Sequence, residues 1–185
     1  LRRRILIALN IGLVVQHVRS NVTEQNTERL TPVFDEENPI GATGQMRTWY
    51  TTKPCFPTAK SHISHLVGDS SWEGHAANIF EKREDVIAYA KNDHLGFQIY
   101  YMWAGSRRRY VPDFLVRLAS GTILALEIKG TDSPQNKAKR DALNEWVKAV
   151  NAAGGFGHWA WDVAFKPAEI QDIVTKHSAV VEPVS

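Results

Sequence analysis

Two carboxylates and one amine lie within two short apolar runs of this 185-residue chain, where charge is costly to bury. The first run, residues 111–118, reads VPDFLVRL and carries Asp113. The second, residues 123–129, reads ILALEIK and carries Glu127 and Lys129. The length and aliphatic content of both runs are typical of strands, and the ASGT between them has turn residues. We therefore predict a hairpin that brings Asp113 close to Glu127.

Alternation along a strand decides which side chains share a face. Glu127 and Lys129 are expected on one face, and Leu126 and Ile128 on the other. Two carboxylates that meet repel each other unless a cation lies between them, and hard divalent cations bind oxygen ligands. The pattern favours a Mg²⁺ site made by Asp113, Glu127 and the backbone carbonyl of Ile128. A buried ion pair between Asp113 and Lys129 is the alternative without a metal.

Such a site suits the hydrolysis of a phosphodiester. A carboxylate-bound Mg²⁺ lowers the pKa of a bound water and neutralises charge on phosphate oxygens. Lys129 would orient the water or stabilise the transition state electrostatically. A further acid from the preceding helix is expected to complete the site. Glu73 is the first choice because it opens that helix, and Glu81 and Glu84 are the alternatives.

The elements predicted from residue 69 onward follow the order α-β-β-β-α-β-α. Helices are predicted at residues 69–91, 134–153 and 167–176, and strands at residues 97–103, 107–118, 122–129 and 158–165. Residues 1–22 are predicted to form a helix that packs in a core or between domains, with a targeting segment as the alternative. Residues 24–66 are polar and are interpreted as an arm or a linker. The chain is therefore divided into residues 1–66 and 67–185.

These motifs resemble a known nuclease signature. Pro112-Asp113 and Glu127-Ile128-Lys129 resemble the PD-(D/E)xK motif. The order α-β-β-β-α-β, with a mixed central sheet flanked by helices, is the core of that restriction-endonuclease-like α/β superfamily. Five longer stretches resemble the C-terminal endonuclease region of the Res subunit of type III restriction enzymes and its relatives: residues 71–73, 96–99, 110–116, 127–130 and 144–147.

The resemblance implies Mg²⁺-dependent cleavage of double-stranded DNA, with Mn²⁺ as a substitute, by a cytoplasmic restriction–modification enzyme. It implies Asp113, Glu127 and Lys129 as the catalytic core and Glu73 as the helix acid. It also implies an ATP-driven motor upstream and a methyltransferase (Mod) subunit that recognises the DNA sequence. This chain has no GxxxxGK[ST] loop, so ATP is expected only in that motor.

Composition and local charge refine the expected partners. With 43% hydrophobic residues, 23% charged residues and a net charge of +2, the chain has an ordinary globular composition. Asn10, Gln16 and His17 interrupt the N-terminal apolar run, so no membrane partner is expected. Basic and polar groups near the motifs are expected to hold the DNA backbone, with a solvated surface as the alternative. The expected DNA contacts are Arg108, Arg109, Gln135, Lys137, Lys139 and Arg140.

Other functions stay open at this point. A non-catalytic DNA-binding or docking module could have the same fold, and a nuclease of this fold could serve repair or transposition. A zinc site from Cys55, His62 and His65 is disfavoured because no further ligand is suitably spaced. His75 and His94 are candidates for contact with phosphate.

Overall fold

The computed structural model describes residues 50–93 and 95–178, so the predicted helix at residues 1–22 lies outside the described part. Helices and strands are mixed along the chain, which confirms the predicted α/β class. The elements are β1 (Cys55–Pro57), β2 (His65–Val67), α1 (Ser71–Lys82), β3 (Val86–Lys91), β4 (Ile99–Trp103), β5 (Ser106–Tyr110), β6 (Phe114–Leu118), β7 (Thr122–Ile128), α2 (Pro134–Ala153), β8 (His158–Ala164) and α3 (Glu169–Ser178).

Four strands form one mixed sheet in the order β3-β6-β7-β8. Strand β6 pairs antiparallel with both β3 and β7, and β8 pairs parallel to β7 after the crossover through α2. The predicted hairpin is confirmed, because Phe114 pairs with Leu126 and Arg117 with Ile123. The hairpins β1–β2 and β4–β5 form two separate antiparallel pairs.

Apolar side chains cover both faces of the four-stranded sheet. One face packs against α1 and α3 and buries Phe80, Phe114 and Leu126 completely. The other face packs against α2 and the β4–β5 hairpin, and its core includes Tyr110 and Leu143. Removal of apolar surface from water, at about 25 cal/mol per Å², is the main driving force for these contacts. The sheet therefore gives a rigid support to residues at the ends of β6 and β7.

The helix predicted at residues 134–153 is observed with those bounds. The Oγ of Ser133 accepts a hydrogen bond from the backbone N–H of Asn136 at 3.1 Å, which caps the helix. Pro134 occupies the first turn, where no N–H is needed. Gly154, with a φ of 69°, ends the helix in a conformation that favours glycine.

The prediction that the first helix continues to residue 91 is wrong. Helix α1 ends at Lys82, and Arg83 has extended backbone. Val86 and Tyr89 are buried, whereas Ile87, which the helical pattern placed in the core, is 53% exposed. The β-branched and aromatic residues of this segment favour a strand, and it forms β3 at the edge of the sheet.

The strand predicted at residues 107–118 is two strands, so this prediction is also wrong. Strand β5 ends at Tyr110 and β6 begins at Phe114. Pro112 lies between them and has no N–H to donate to a neighbouring strand. The observed order from α1 is therefore α-β-β-β-β-β-α-β-α, with two strands more than predicted.

The described part of the predicted arm, residues 50–66, contributes to the same core. Leu66 of β2 is buried in the cluster that α1 and α3 also line, and Phe56 of β1 packs against that cluster. Ser61 makes an isolated parallel bridge to Tyr89 of β3. No helix among residues 50–93 and 95–178 has the length and apolar content needed to cross a bilayer.

Candidate active site

The pairing of β6 with β7 brings the two predicted metal ligands together. Phe114 lies opposite Leu126, and the next position outward on each strand is Asp113 and Glu127. The carboxylate Oδ2 of Asp113 accepts a hydrogen bond from the backbone N–H of Ile128 at 2.7 Å. No donor among the described residues reaches its other oxygen. Asp113 is thus fixed against the end of β7 with one oxygen available.

Glu127 is held between two partners and is only 3% exposed. Its Oε2 accepts a hydrogen bond from the hydroxyl of Tyr110 at 2.8 Å. Its Oε1 lies 2.5 Å from the Nζ of Lys129. Leu126 and Ile128 belong to the opposite core cluster, which confirms the predicted alternation. The predicted alternative ion pair between Asp113 and Lys129 is not formed, since Lys129 binds Glu127 instead.

Burial and mutual repulsion set the protonation of this group of residues. Burial, followed by the charge of Glu127, raises the pKa of Asp113 to about 7. The Ile128 N–H and Lys129 oppose that rise. Burial alone would lower the pKa of Lys129, but the Glu127 carboxylate and then Asp113 raise it overall. Lys129 is therefore protonated at neutral pH, while Asp113 lacks a full neutralising partner.

Tyr110 was not predicted as a site residue. Burial and the charge of Glu127 raise its pKa well above the ordinary range, so its hydroxyl stays protonated and donates to Glu127 at neutral pH. The residue comes directly before the Val111-Pro112-Asp113 stretch. The alternation of residues along β5 does not indicate a function for Tyr110. Its partner Glu127 is 17 residues away in sequence and approaches it only in the folded chain.

Glu73 lies in the first turn of α1, as predicted, but its carboxylate already has two partners in the protein. Its Oε2 accepts the backbone N–H of Asp69 at 2.7 Å and lies 3.0 Å from the Nζ of Lys91. The charge of Glu73 contributes to the raised pKa of Asp113, so it acts on the site electrostatically. Glu81, eight residues further along α1, is about 12 Å away by the helical rise and accepts a hydrogen bond from Tyr89.

Lys91, at the end of β3, is a second residue near the site without a predicted role. It is 5% exposed and forms ion pairs with Asp69 at 2.5 Å, Asp93 at 2.9 Å and Glu73. Burial alone would lower its pKa, but hydrogen bonds to these carboxylates raise it overall. The signal was a lysine at the end of an alternating apolar strand. Because a helix was predicted for that segment, Lys91 was not recognised as the last residue of a strand.

The residues predicted to contact DNA differ in whether their side chains already have a partner in the protein. Arg108 and Arg109 are exposed on β5. Lys137 pairs with Asp141 at 2.9 Å, and Arg140 with Asp132 at 2.7 and 2.8 Å. Gln135 donates to the Tyr101 hydroxyl at 2.7 Å, and the Nζ of Lys139 lies 5.6 Å from the centroid of the Tyr110 ring. On α2, Lys139 and Arg140 therefore both lie near Tyr110, a side chain of the site.

None of the candidate histidines within the described residues contacts Asp113, Glu127 or Lys129 by a hydrogen bond or an ion pair. Burial lowers the pKa of His62, His65 contacts the Ser64 hydroxyl at 3.1 Å, and His75 is exposed on α1. His94 lies outside the described residues. Among residues 50–93 and 95–178, no three His, Cys, Asp or Glu side chains form a group that could hold a metal ion.

A divalent cation at this position would depend on Asp113, Glu127 and backbone oxygen. Carboxylate oxygens are the donors that Mg²⁺ prefers, and the raised pKa of Asp113 reflects a repulsion that a cation would relieve. Asn92, whose N–H donates to the Asp113 carbonyl at 2.9 Å, also has a buried Oδ1 without a hydrogen-bond partner. The donor chemistry therefore fits a hard cation. The Ile128 carbonyl stays a predicted ligand.

Comparison with known proteins gives no relative. The chain matches no protein-family model, no curated protein and no solved structure.

Proposed function

We propose that this chain is a Mg²⁺-dependent endonuclease module that hydrolyses phosphodiester bonds of double-stranded DNA. The observation that carries the proposal is the convergence of Asp113, Glu127 and Lys129 at the ends of β6 and β7. The buried carboxylate of Glu127 and the partly buried carboxylate of Asp113 share that place with a charged amine. This combination of oxygen ligands and a cationic side chain suits metal-assisted phosphoryl chemistry.

The order of elements supports the same proposal. Helix α1, strands β3, β6 and β7, helix α2 and strand β8 follow the order α-β-β-β-α-β, with the β4–β5 hairpin as an insertion after the first strand. The four strands make one mixed sheet between helices. We propose on this basis that the fold is the PD-(D/E)xK nuclease fold.

Each residue of the site has a proposed role. Asp113 and Glu127 would hold the cation, which supplies Lewis acidity and an activated water when bound. Lys129 is protonated and would stabilise negative charge on the scissile phosphate. Tyr110 orients Glu127 through its hydroxyl. Glu73, bound to Lys91, adds negative charge that strengthens the attraction of the site for a cation.

The setting of a type III restriction enzyme is part of the proposal. In that setting, ATP would bind to a separate motor domain and a Mod methyltransferase would recognise the DNA sequence. The phosphate contacts expected from Lys137, Lys139 and Arg140 would add affinity without sequence preference. Mn²⁺ would replace Mg²⁺, because both accept oxygen ligands.

One observation favours a second candidate, a DNA-binding or docking module without catalysis. Both oxygens of Glu127 have protein partners, the hydroxyl of Tyr110 and the ammonium of Lys129. This pairing neutralises Glu127 without a metal. The two candidates differ in whether the purified chain takes up a divalent cation.

The test measures metal binding and cleavage together. Titration calorimetry with Mn²⁺ should show binding to the wild-type chain and none to Asp113→Asn. Nicking of supercoiled plasmid in Mg²⁺ should fall by at least about 100-fold in Asp113→Asn, Glu127→Gln and Lys129→Met, the scale expected when charge stabilisation is lost. Circular dichroism checks that each variant is folded.

Glu145→Gln is the matched control, because Glu145 is exposed on α2 and pairs only with Lys148 among the described residues. It removes one carboxylate at a distance from the site and should bind Mn²⁺ and nick plasmid like the wild type. Absence of Mn²⁺ binding in the wild-type chain would favour the non-catalytic module. Equal nicking by the wild type and all three site variants would contradict the proposed catalytic residues.

A further inference from the structure

The β4–β5 hairpin has one face in the core and one in solvent. Ile99, Tyr101 and Tyr110 are buried against α2. On the other face, Tyr100 is 47% and Met102 is 63% exposed. Tyr100 lies opposite Arg109 and Met102 opposite Arg107, and directly opposed residues of an antiparallel pair share a face. We call these four residues the outer face of the hairpin.

This outer face is strongly basic. It carries two arginines, Arg107 and Arg109, and residues 99–110 contain no acid. Neither of the two guanidinium groups forms an ion pair with a carboxylate of the described residues. The guanidinium of Arg107 lies 3.8 Å from the centroid of the Tyr100 ring. A stacked guanidinium is held in position while its N–H groups stay available to an anion.

The hairpin is attached directly to the candidate site. Tyr110, the last residue of β5, donates its hydroxyl to Glu127, and Tyr101 of β4 accepts a hydrogen bond from Gln135 of α2. These two contacts fix the hairpin to both β7 and α2. The hairpin that carries the outer face is therefore held in a fixed position beside the candidate site.

We propose that the outer face of the hairpin binds the phosphate backbone of duplex DNA, with Arg107 and Arg109 on phosphates and Tyr100 holding Arg107. This inference rests on the proposed function for its choice of ligand. Arginine suits phosphate because its planar donors bind two oxygens at once. Two unpaired guanidiniums without a carboxylate between them favour a polyanion over a protein surface of mixed charge. The contact would carry no sequence information.

The test measures DNA binding without cleavage. A fluorescently labelled 30-base-pair duplex is titrated with the full chain in EDTA, and anisotropy gives Kd at several salt concentrations. Arg107→Ala and Arg109→Ala should each weaken binding by about five- to tenfold near 0.1 M salt and lower the slope of log K against log salt by about 1. Tyr100→Ala should weaken binding and Tyr100→Phe should not, because phenylalanine keeps the ring.

Arg117→Ala is the matched control. Arg117 is an exposed arginine on β6, four residues and about 13 Å along the strand from Asp113, and its loss should leave Kd and the salt slope unchanged. Arg108 lies opposite the buried Tyr101, on the other side of β5. Equal losses from Arg108→Ala and Arg109→Ala would indicate a diffuse effect of charge and overturn the assignment of a defined face.

Different experimental results would contradict DNA binding by the outer face and the proposed nuclease activity. Wild-type Kd and salt slope in the folded Arg107→Ala and Arg109→Ala variants would overturn the outer face as a DNA contact, whatever the plasmid assay shows. Absence of any DNA binding by the wild-type chain would overturn it too. Arginine-dependent binding without Mn²⁺ uptake or nicking would support the outer face and contradict the nuclease proposal.

Discussion

Asp113 and Glu127 place two carboxylates next to each other at the ends of β6 and β7. Both are largely buried, and the pKa of Asp113 rises to about 7 because burial and Glu127 disfavour its ionised form. Lys129 forms its ion pair with Glu127. It therefore compensates the negative charge of Asp113 only in part. Groups perturbed in this way are more common at functional sites than elsewhere. The perturbation predicts a dependence of stability on pH.

Asp113→Asn should stabilise the metal-free chain at high pH. A carboxyl group whose pKa is higher in the folded than in the unfolded state contributes stability that is complete below about pH 4 and is lost as pH rises through about 7. The free energy of unfolding of Asp113→Asn should therefore exceed that of the wild type by about 1–3 kcal/mol at pH 8, with no difference near pH 4. Urea unfolding in EDTA measures both values.

Mg²⁺ provides the control for this measurement. A cation that binds Asp113 favours its ionised form, so Mg²⁺ at pH 8 should stabilise the wild type and leave Asp113→Asn unchanged. A wild type and variant whose stabilities stay parallel from pH 4 to 8 would show that Asp113 titrates normally and would contradict its assigned environment.

At the scale of elements, Lys91 connects β3 to the first turn of α1. Lys91→Met keeps the apolar stem but removes the cation that Asp69, Glu73 and Asp93 share, so that, among the described residues, only Asp69 keeps another cationic partner, Lys53. Because Asp69 and Asp93 are partly exposed, a loss of about 2–3 kcal/mol in the free energy of unfolding is expected, less than for a fully buried pair. Lys82→Met, on the exposed last turn of α1, should change it by less than about 0.5 kcal/mol.

A small effect of Lys91→Met, similar to that of Lys82→Met, would mean that the ion pairs of Lys91 contribute little. The same measurement with Mn²⁺ adds a second readout. Loss of the ammonium frees the charge of Glu73 near Asp113, so the folded variant should keep its affinity for Mn²⁺ or gain affinity. A loss of affinity would show that Lys91 positions Glu73 for the metal.

The sequence predicted those elements whose signals are local. The β6–β7 hairpin and the bounds of α2 follow from alternation, turn residues, Pro134 and Gly154, so the meeting of Asp113 and Glu127 was predictable. Strand β3 was not, because Ile79, Phe80 and Val86 also satisfy a helical spacing across a turn. The roles of Tyr110 and Lys91 depend on partners that only tertiary structure brings near. Alternation alone cannot identify such partners.

At the scale of the whole molecule, an aromatic ring helps to join residues 55–67 to the rest of the described core. Phe56 of β1 lies between two glycines, Gly68 after β2 and Gly74 in α1. A Cβ atom on Gly74 would lie 2.7 Å from Cζ of Phe56, and one on Gly68 would lie 2.9 Å from Cε2. Both distances are too short for a carbon contact. The absence of a side chain at both positions therefore lets the β1–β2 hairpin approach α1.

A double-mutant cycle tests this packing. Gly74→Ala normally stabilises a helix interior by about 1 kcal/mol, but here it should destabilise the chain by about 1–2 kcal/mol because the ring of Phe56 must move. Phe56→Ala alone should cost about 2–3 kcal/mol, since the ring is half-buried. In the Phe56→Ala background, Gly74→Ala should become stabilising, which gives a coupling energy of about 2–3 kcal/mol. Urea unfolding of the four chains measures the cycle, and additive effects of the two substitutions would show that the hairpin does not pack on α1 through Phe56.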